Sequence, residues 1–121
     1  MGADLIRGHL DLLVLSVVAD GASHGYAIAE EIRARSGGEF DLPEGTIYPA
    51  LYRLEGSGLL DSRWISVAGR RRRMYELTGA GRDTLAGKTD EWARFADAVS
   101  RVVGGARWTT KITRSTRTSP A

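Results

Sequence analysis

Four arginines stand side by side at positions 70–73, directly after Gly69. A guanidinium is a fixed positive charge with a planar fork of N–H donors, a shape that fits phosphate oxygens in pairs. Adjacent like charges also repel one another, a cost that an anion relieves. A second group lies upstream, where Gly45, Thr46, Tyr48, Pro49, Tyr52 and Arg53 crowd one short stretch. They combine hydroxyl donors, apolar surface and one guanidinium, the groups that meet base edges, thymine methyls and phosphates. Both constellations favour a polyanionic partner. The plainer alternatives are a solvated turn for the arginines and packing against neighbouring parts of the chain for the tyrosines.

Other chemistries find little support. There are no cysteines, which excludes a disulfide framework and thiolate metal sites. His9 and His24 are isolated, without a second ligand at metal spacing, and read as a surface residue and a local capping or packing residue. Asp90 and Glu91 read as a solvated helix face, and Gly79-x-Gly81 lacks the context of a dinucleotide fingerprint. No nucleophile–base pair or phosphate loop has workable spacing, so no enzymatic activity, cofactor or metal is expected.

The 121 residues are 42 % hydrophobic and 26 % charged, which suits a small soluble globular domain. Nothing at the start reads as a secretion signal. The apolar run Leu5–Ala19 carries Arg7, His9 and Asp11, too short and too charged for a membrane span, so a cytoplasmic location without a membrane partner is expected. The net charge of +2 is unevenly spread. Residues 1–60 hold four arginines against nine acids, a balance of −5, and residues 61–121 hold thirteen Lys or Arg against six acids, a balance of +7. That asymmetry points the second half toward a polyanion.

The elements that must position these groups follow from apolar spacing. Leu5, Ile6, Leu10, Leu13, Leu15, Val17 and Val18 predict a mostly buried first helix over 5–18. Ser23 is a candidate cap for a second helix to about Arg35, with Ile28 and Ile32 inward and Ser36-Gly37-Gly38 as its stop. Ile47, Leu51 and Leu54 mark the buried stripe of a third helix, placing Thr46, Pro49, Tyr52 and Arg53 opposite. Trp64, Ile65 and Val67, then Tyr75 and Leu77, predict a hairpin turning at Ala68-Gly69. Thr78 caps a last helix to about Val103, in which Leu85, Trp92 and Val99 recur every seven residues with Phe95 and Val102 between them. This is a mainly α chain with a two-stranded β-wing: a winged helix-turn-helix over 1–78, a C-terminal dimerisation helix over 79–105, and a flexible basic tail over 106–121.

The stretch from Leu42-Pro43-Glu44-Gly45-Thr46-Ile47-Tyr48-Pro49 through Leu51-Tyr52-Arg53-Leu54-Glu55, then Gly58-Leu59-Leu60, resembles the recognition-helix motif of the PadR family of transcriptional regulators. His24-Gly25-Tyr26, Gly69 with Arg70–Arg73, Tyr75, Leu77-Thr78 and Ala80-Gly81-Arg82 resemble its second helix, wing and last-helix entry. The likeness places Thr46-x-Tyr48-Pro49 inside the recognition helix, so the helix is expected to begin near Glu44 although Pro49 alone would start it later. Pro43 departs from a usual Ser or Asn cap, leaving Asp41 or water for that role.

The resemblance implies a sequence-specific DNA-binding repressor acting as a homodimer on a pseudo-palindromic operator, with half-sites roughly one helical turn apart. Its DNA contacts would come from Gly45, Thr46, Tyr48, Pro49, Tyr52, Arg53 and Arg70, Arg71, Arg72 and Arg73, with Tyr48 favoured over Tyr52 for base reading. The resemblance also implies dimerisation through the last helix, often against the partner's first helix. The unsatisfied stripe of Leu85, Trp92, Phe95, Val99 and Val102 agrees, since such side chains contribute about 1.5–3 kcal/mol each on burial, before association entropy. Asp90-Glu91-Trp92-Ala93-Arg94 is similar to a drug-binding subgroup, in which this tryptophan stacks on a planar aromatic effector; plain interface packing is the alternative. A winged-helix adaptor for another protein is the competing class, disfavoured by the arginine run.

Overall fold

A computed structural model describes residue 6 and residues 8–118, with side chains as far as residue 104. In chain order the elements are α1 (Leu10–Val18), β1 (Ser23–His24), α2 (Gly25–Arg35), α3 (Glu44–Gly56), β2 (Leu60–Val67), β3 (Arg70–Leu77) and α4 (Gly79–Thr118). They fall into two compact units, Met1–Ala86 and Gly87–Ala121.

The first unit is a winged helix-turn-helix. Val14 and Leu15 of α1, Ile28 of α2, and Ile47, Leu51 and Leu54 of α3 bury their apolar stripes against Leu60 and Tyr75 of the sheet. The expected inward residues Ile28, Ile32, Ile47, Leu51 and Leu54 are all in this core. Helix α1 begins at Leu10 rather than at residue 5. Gly8 and His9 form a turn in which the His9 N–H donates to the Ile6 carbonyl at 2.8 Å, although Ile6 is still buried. Glycine is a poor helix former, by about 1 kcal/mol against alanine, which favours a break there. Leu5 lies outside the described residues.

Two local readings change at the start of α2. Ser23 does not cap the helix; it lies in β1 and pairs with Tyr75, while His24 pairs with Met74 and takes the N-cap position. The extended backbone of His24 (φ −98°, ψ 163°) serves both the strand and the cap. The wing hairpin β2–β3 therefore gains a short third strand, in the order β1-β3-β2, all antiparallel. Its turn is at Ala68-Gly69 as expected, with both residues at positive φ (51° and 78°). Two left-handed residues in a two-residue loop match the twist of the strands they join.

Thr78 caps α4 as the sequence suggests, its Oγ1 accepting the Gly81 N–H at 2.9 Å. Leu85 packs half-buried against the core of its own unit, which accounts for its apolar character without a partner. In the second unit, Trp92, Phe95, Val99 and Val102 are all exposed, while Asp90–Arg94 and Asp97–Arg101 pair along the helix surface. The helix runs to Thr118, past the stop expected near Gly104-Gly105. Glycine inside a helix costs about 1 kcal/mol, a penalty rather than a veto. The helix covers residues 106–118 of the stretch expected as a flexible basic tail, and residues 119–121 lie outside the described residues.

Candidate nucleic-acid interface

Helix α3 begins at Glu44, as the motif implies, and Pro43 occupies the cap position without a side-chain cap bond. Its carbonyl instead accepts the N–H groups of Thr46 and Ile47 at 2.9 and 3.2 Å. Asp41 does not cap; its carboxylate lies 3.9 Å from Arg33. Pro49 sits in the second turn, where it forgoes the bond to the Gly45 carbonyl. Gly45, Pro49, Tyr52 and Arg53 are exposed and Thr46 half-exposed, so one side of α3 carries the expected set.

The two tyrosines on α3 differ in exposure. Tyr48 is half-buried, its ring lying so close to Gly25 that a Cβ there would stand 2.6 Å from Cε1 and Cζ. Glycine at position 25 is thus what lets α2 and α3 approach. Tyr52 is 59 % exposed, its ring 6.3 Å from that of Tyr48. Burial, with Tyr52 nearby, holds the phenol of Tyr75 above its ordinary range. Arg53 is forked onto Asp11 of α1, donating from Nη1 and Nη2 at 2.9 and 2.8 Å. This bidentate pair braces α3 against α1 and partly offsets the charge that Arg53 offers a phosphate.

The four wing arginines are not equivalent. Strand alternation sends Arg70 and Arg72 to one face and Arg71 and Arg73 to the other. Arg70 and Arg71 are exposed near the tip, whereas Arg72 and Arg73 are half-buried and engaged. The Arg72 Nη1 lies 2.6 Å from the Nε2 of His24. Arginine has only donors, so Nε2 must accept and the imidazole proton sits on Nδ1. The longer 3.5 Å approach of the Ala27 N–H to Nδ1 belongs to the other tautomer. Burial first, then the Arg72 charge, holds His24 below its ordinary value of 6.5.

Arg73 Nε donates to Ser62 Oγ at 2.9 Å, its Nη2 lies 3.4 Å from a Glu55 carboxylate oxygen, and Ser62 Oγ donates to that oxygen at 2.6 Å. The wing is tied in this way to the last turn of α3. Arg71 and Arg73 also lie over the ring of Trp64, at 4.7 and 5.4 Å from its centroid. Among the described residues, Arg70 alone of the four has no such partner. Asp11, Glu55 and Trp64 were not singled out from sequence. The hairpin register offered one signal, since a two-residue turn at Ala68-Gly69 sets Trp64 opposite Arg73.

The site's chemistry is electrostatic and hydrogen-bonding. Among the described residues no group of three or more His, Asp or Glu is placed to hold a metal, and no helix is long and apolar enough to cross a membrane. The sequence profile of the Transcriptional regulator PadR-like family matches residues 14–87. A transcriptional regulator of Mycobacterium tuberculosis is 37 % identical over 99 residues, covering 82 % of this chain and 87 % of that one. The structure of a transcriptional regulator from Clostridium thermocellum superposes with a TM-score of 0.76 at 31 % identity, over 84 % of this chain and 96 % of that one. Bacillus subtilis PadR, solved in complex with operator DNA, superposes with a TM-score of 0.60 at 26 % identity, over 66 % of this chain and 45 % of that one.

Proposed function

This chain belongs to the PadR-like family of transcriptional regulators, and from that membership we propose that it is a cytoplasmic repressor binding a pseudo-palindromic operator as a homodimer. The single observation that carries the DNA reading is the pairing of an open α3 face with a cationic wing tip in one unit. Pro49 and Tyr52 of α3 are exposed, and so are Arg70 and Arg71 of the wing. A helix of this size fits a major groove, and arginines on a thin ribbon suit the flanking backbone or minor groove. A relative solved in complex with operator DNA supports the same reading.

The homodimer is supported by the exposed stripe of Trp92, Phe95, Val99 and Val102. An open apolar groove of about 190 Å³ beside α1, lined in part by Leu13, Val17, Ile32 and Phe40, offers a surface of matching character on a second copy. In the dimer, Trp92 takes one of two roles: a stacking surface for a planar aromatic effector that releases DNA, or interface packing. Tryptophan fluorescence titrated with planar aromatic compounds separates them, with Trp92→Phe as the control for the other indoles. Quenching that Trp92→Phe abolishes assigns the effector site.

Selection of bound duplexes from a random DNA pool tests the main reading. Enrichment of an inverted repeat with half-sites about one helical turn apart is expected. A pool that shows no enrichment, or enriches only unrelated single sites, contradicts it.

A further inference from the structure

Trp64 has no part in the contacts assigned so far to DNA or to the core. In β2 it faces Arg73, and its neighbour Ser66 faces Arg71. Alternation therefore puts Leu60, Ser62 and Trp64 on the same face of the hairpin as Arg71, Arg73, Tyr75 and Leu77. At the base of that face Leu60, Tyr75 and Leu77 are buried; further out, Trp64 is 52 % exposed. Core packing does not explain a large indole left half in water on a projecting ribbon.

Its neighbours do explain it. Arg73 is held by Ser62 and by Glu55 in the last turn of α3. The indole lies against the Arg73 guanidinium, and the exposed Arg71 guanidinium lies over the same ring at 4.7 Å. The ring quadrupole attracts both cations and so offsets their mutual repulsion. A continuous set of contacts thus runs from Glu55 through Arg73 and Trp64 to Arg71.

We propose that Trp64 is a positioning residue for DNA: it docks Arg71, otherwise on a flexible stem near a hairpin tip, at a fixed spacing from α3. The proposal rests on the DNA-binding reading. An arginine already immobilised loses less side-chain entropy on meeting a phosphate, a saving equivalent to about twofold to tenfold in affinity. The spacing also lets α3 and the wing engage one duplex in a single register.

The test uses the full chain and a labelled duplex taken from the selected pool, read by fluorescence anisotropy, with thermal melting of each variant followed by circular dichroism. Wild type binding neither this duplex nor a mixed-sequence one removes the DNA reading itself. Given wild-type binding, Trp64→Leu is expected to weaken it about twofold to tenfold, and Trp64→Phe, which keeps an aromatic face, to restore most of it. Arg71→Gln weakens binding too, and the double variant Trp64→Leu/Arg71→Gln loses little beyond Arg71→Gln alone, because the indole acts through that arginine. Wild-type affinity in Trp64→Leu overturns the proposal. Independent, multiplying losses in the double variant also overturn it, as does a Trp64→Leu loss matched by a lowered melting temperature and not restored by Trp64→Phe.

Discussion

Tyr48 and Tyr52 lie one helical turn apart on α3, and their surroundings differ. The Tyr48 ring fills the space left by Gly25, so Tyr48→Ala opens a gap between α2 and α3. A loss of about 1–3 kcal/mol in denaturant unfolding is expected for it. Tyr52 is exposed, and Tyr52→Ala should leave stability within about 0.5 kcal/mol while weakening binding to a selected duplex more than to random DNA. His24 supplies a prediction in pH. Its folded value lies below the ordinary 6.5, so the unfolded chain takes up the proton more readily. The contribution of neutral His24 is present above about pH 6.5 and is lost as the pH falls through the lowered folded value. Thermal melts from pH 8 downward should show that loss, and His24→Asn should flatten this part of the profile. The positions of Tyr48 and Tyr52 on α3 were legible from the motif. Their burial was not, because it depends on a glycine in another helix.

At the scale of elements, apolar periodicity was sufficient wherever one face met one core. The stripe Ile47, Leu51, Leu54 located α3, and the Ala68-Gly69 pair located the wing turn. What spacing did not carry was β1, a strand of two residues formed only because β3 offers a free edge to Ser23 and His24. Similarly, four consecutive arginines look alike in sequence, whereas cross-strand neighbours divide them into engaged and open members. The turn itself has a testable defect. Ala68 adopts φ 51°, a conformation that costs a residue with a Cβ roughly 1–2 kcal/mol. Ala68→Gly relieves that strain and Ala68→Asn lowers it, each with a gain of up to about 1 kcal/mol expected in chemical denaturation. An unchanged or lower midpoint would mean that the turn does not limit the wing.

At the scale of the whole molecule, the exposed stripe on residues 92–102 and the proposed operator symmetry make one joint prediction. Replacing Phe95 and Val99 together by Asp puts charge into the proposed interface, where burial is expensive. Light scattering should then report a monomer where wild type is a dimer, with cooperative binding to an inverted repeat lost and the helical circular dichroism of the chain retained. A wild-type monomer at micromolar concentration would count against the homodimer. The change in pattern falls after Thr78, whereas the compact units divide after Ala86, since Leu85 still packs against the core of the first unit. The length of α4 was not legible either, since helix propensity treats Gly104-Gly105 as a stop while the helix continues to Thr118.

The salt dependence of DNA affinity tests the role of the wing tip most directly, because each phosphate neutralised by an arginine releases counterions in measurable number. The double variant Arg70→Gln/Arg71→Gln should lower the slope of log affinity against log salt by about 0.9 for each arginine, per protomer bound. Arg72→Gln should change the slope less, because that side chain is half-buried beside His24 and less open to a phosphate. A slope identical to wild type in the Arg70/Arg71 double variant would show that the prong does not touch the duplex.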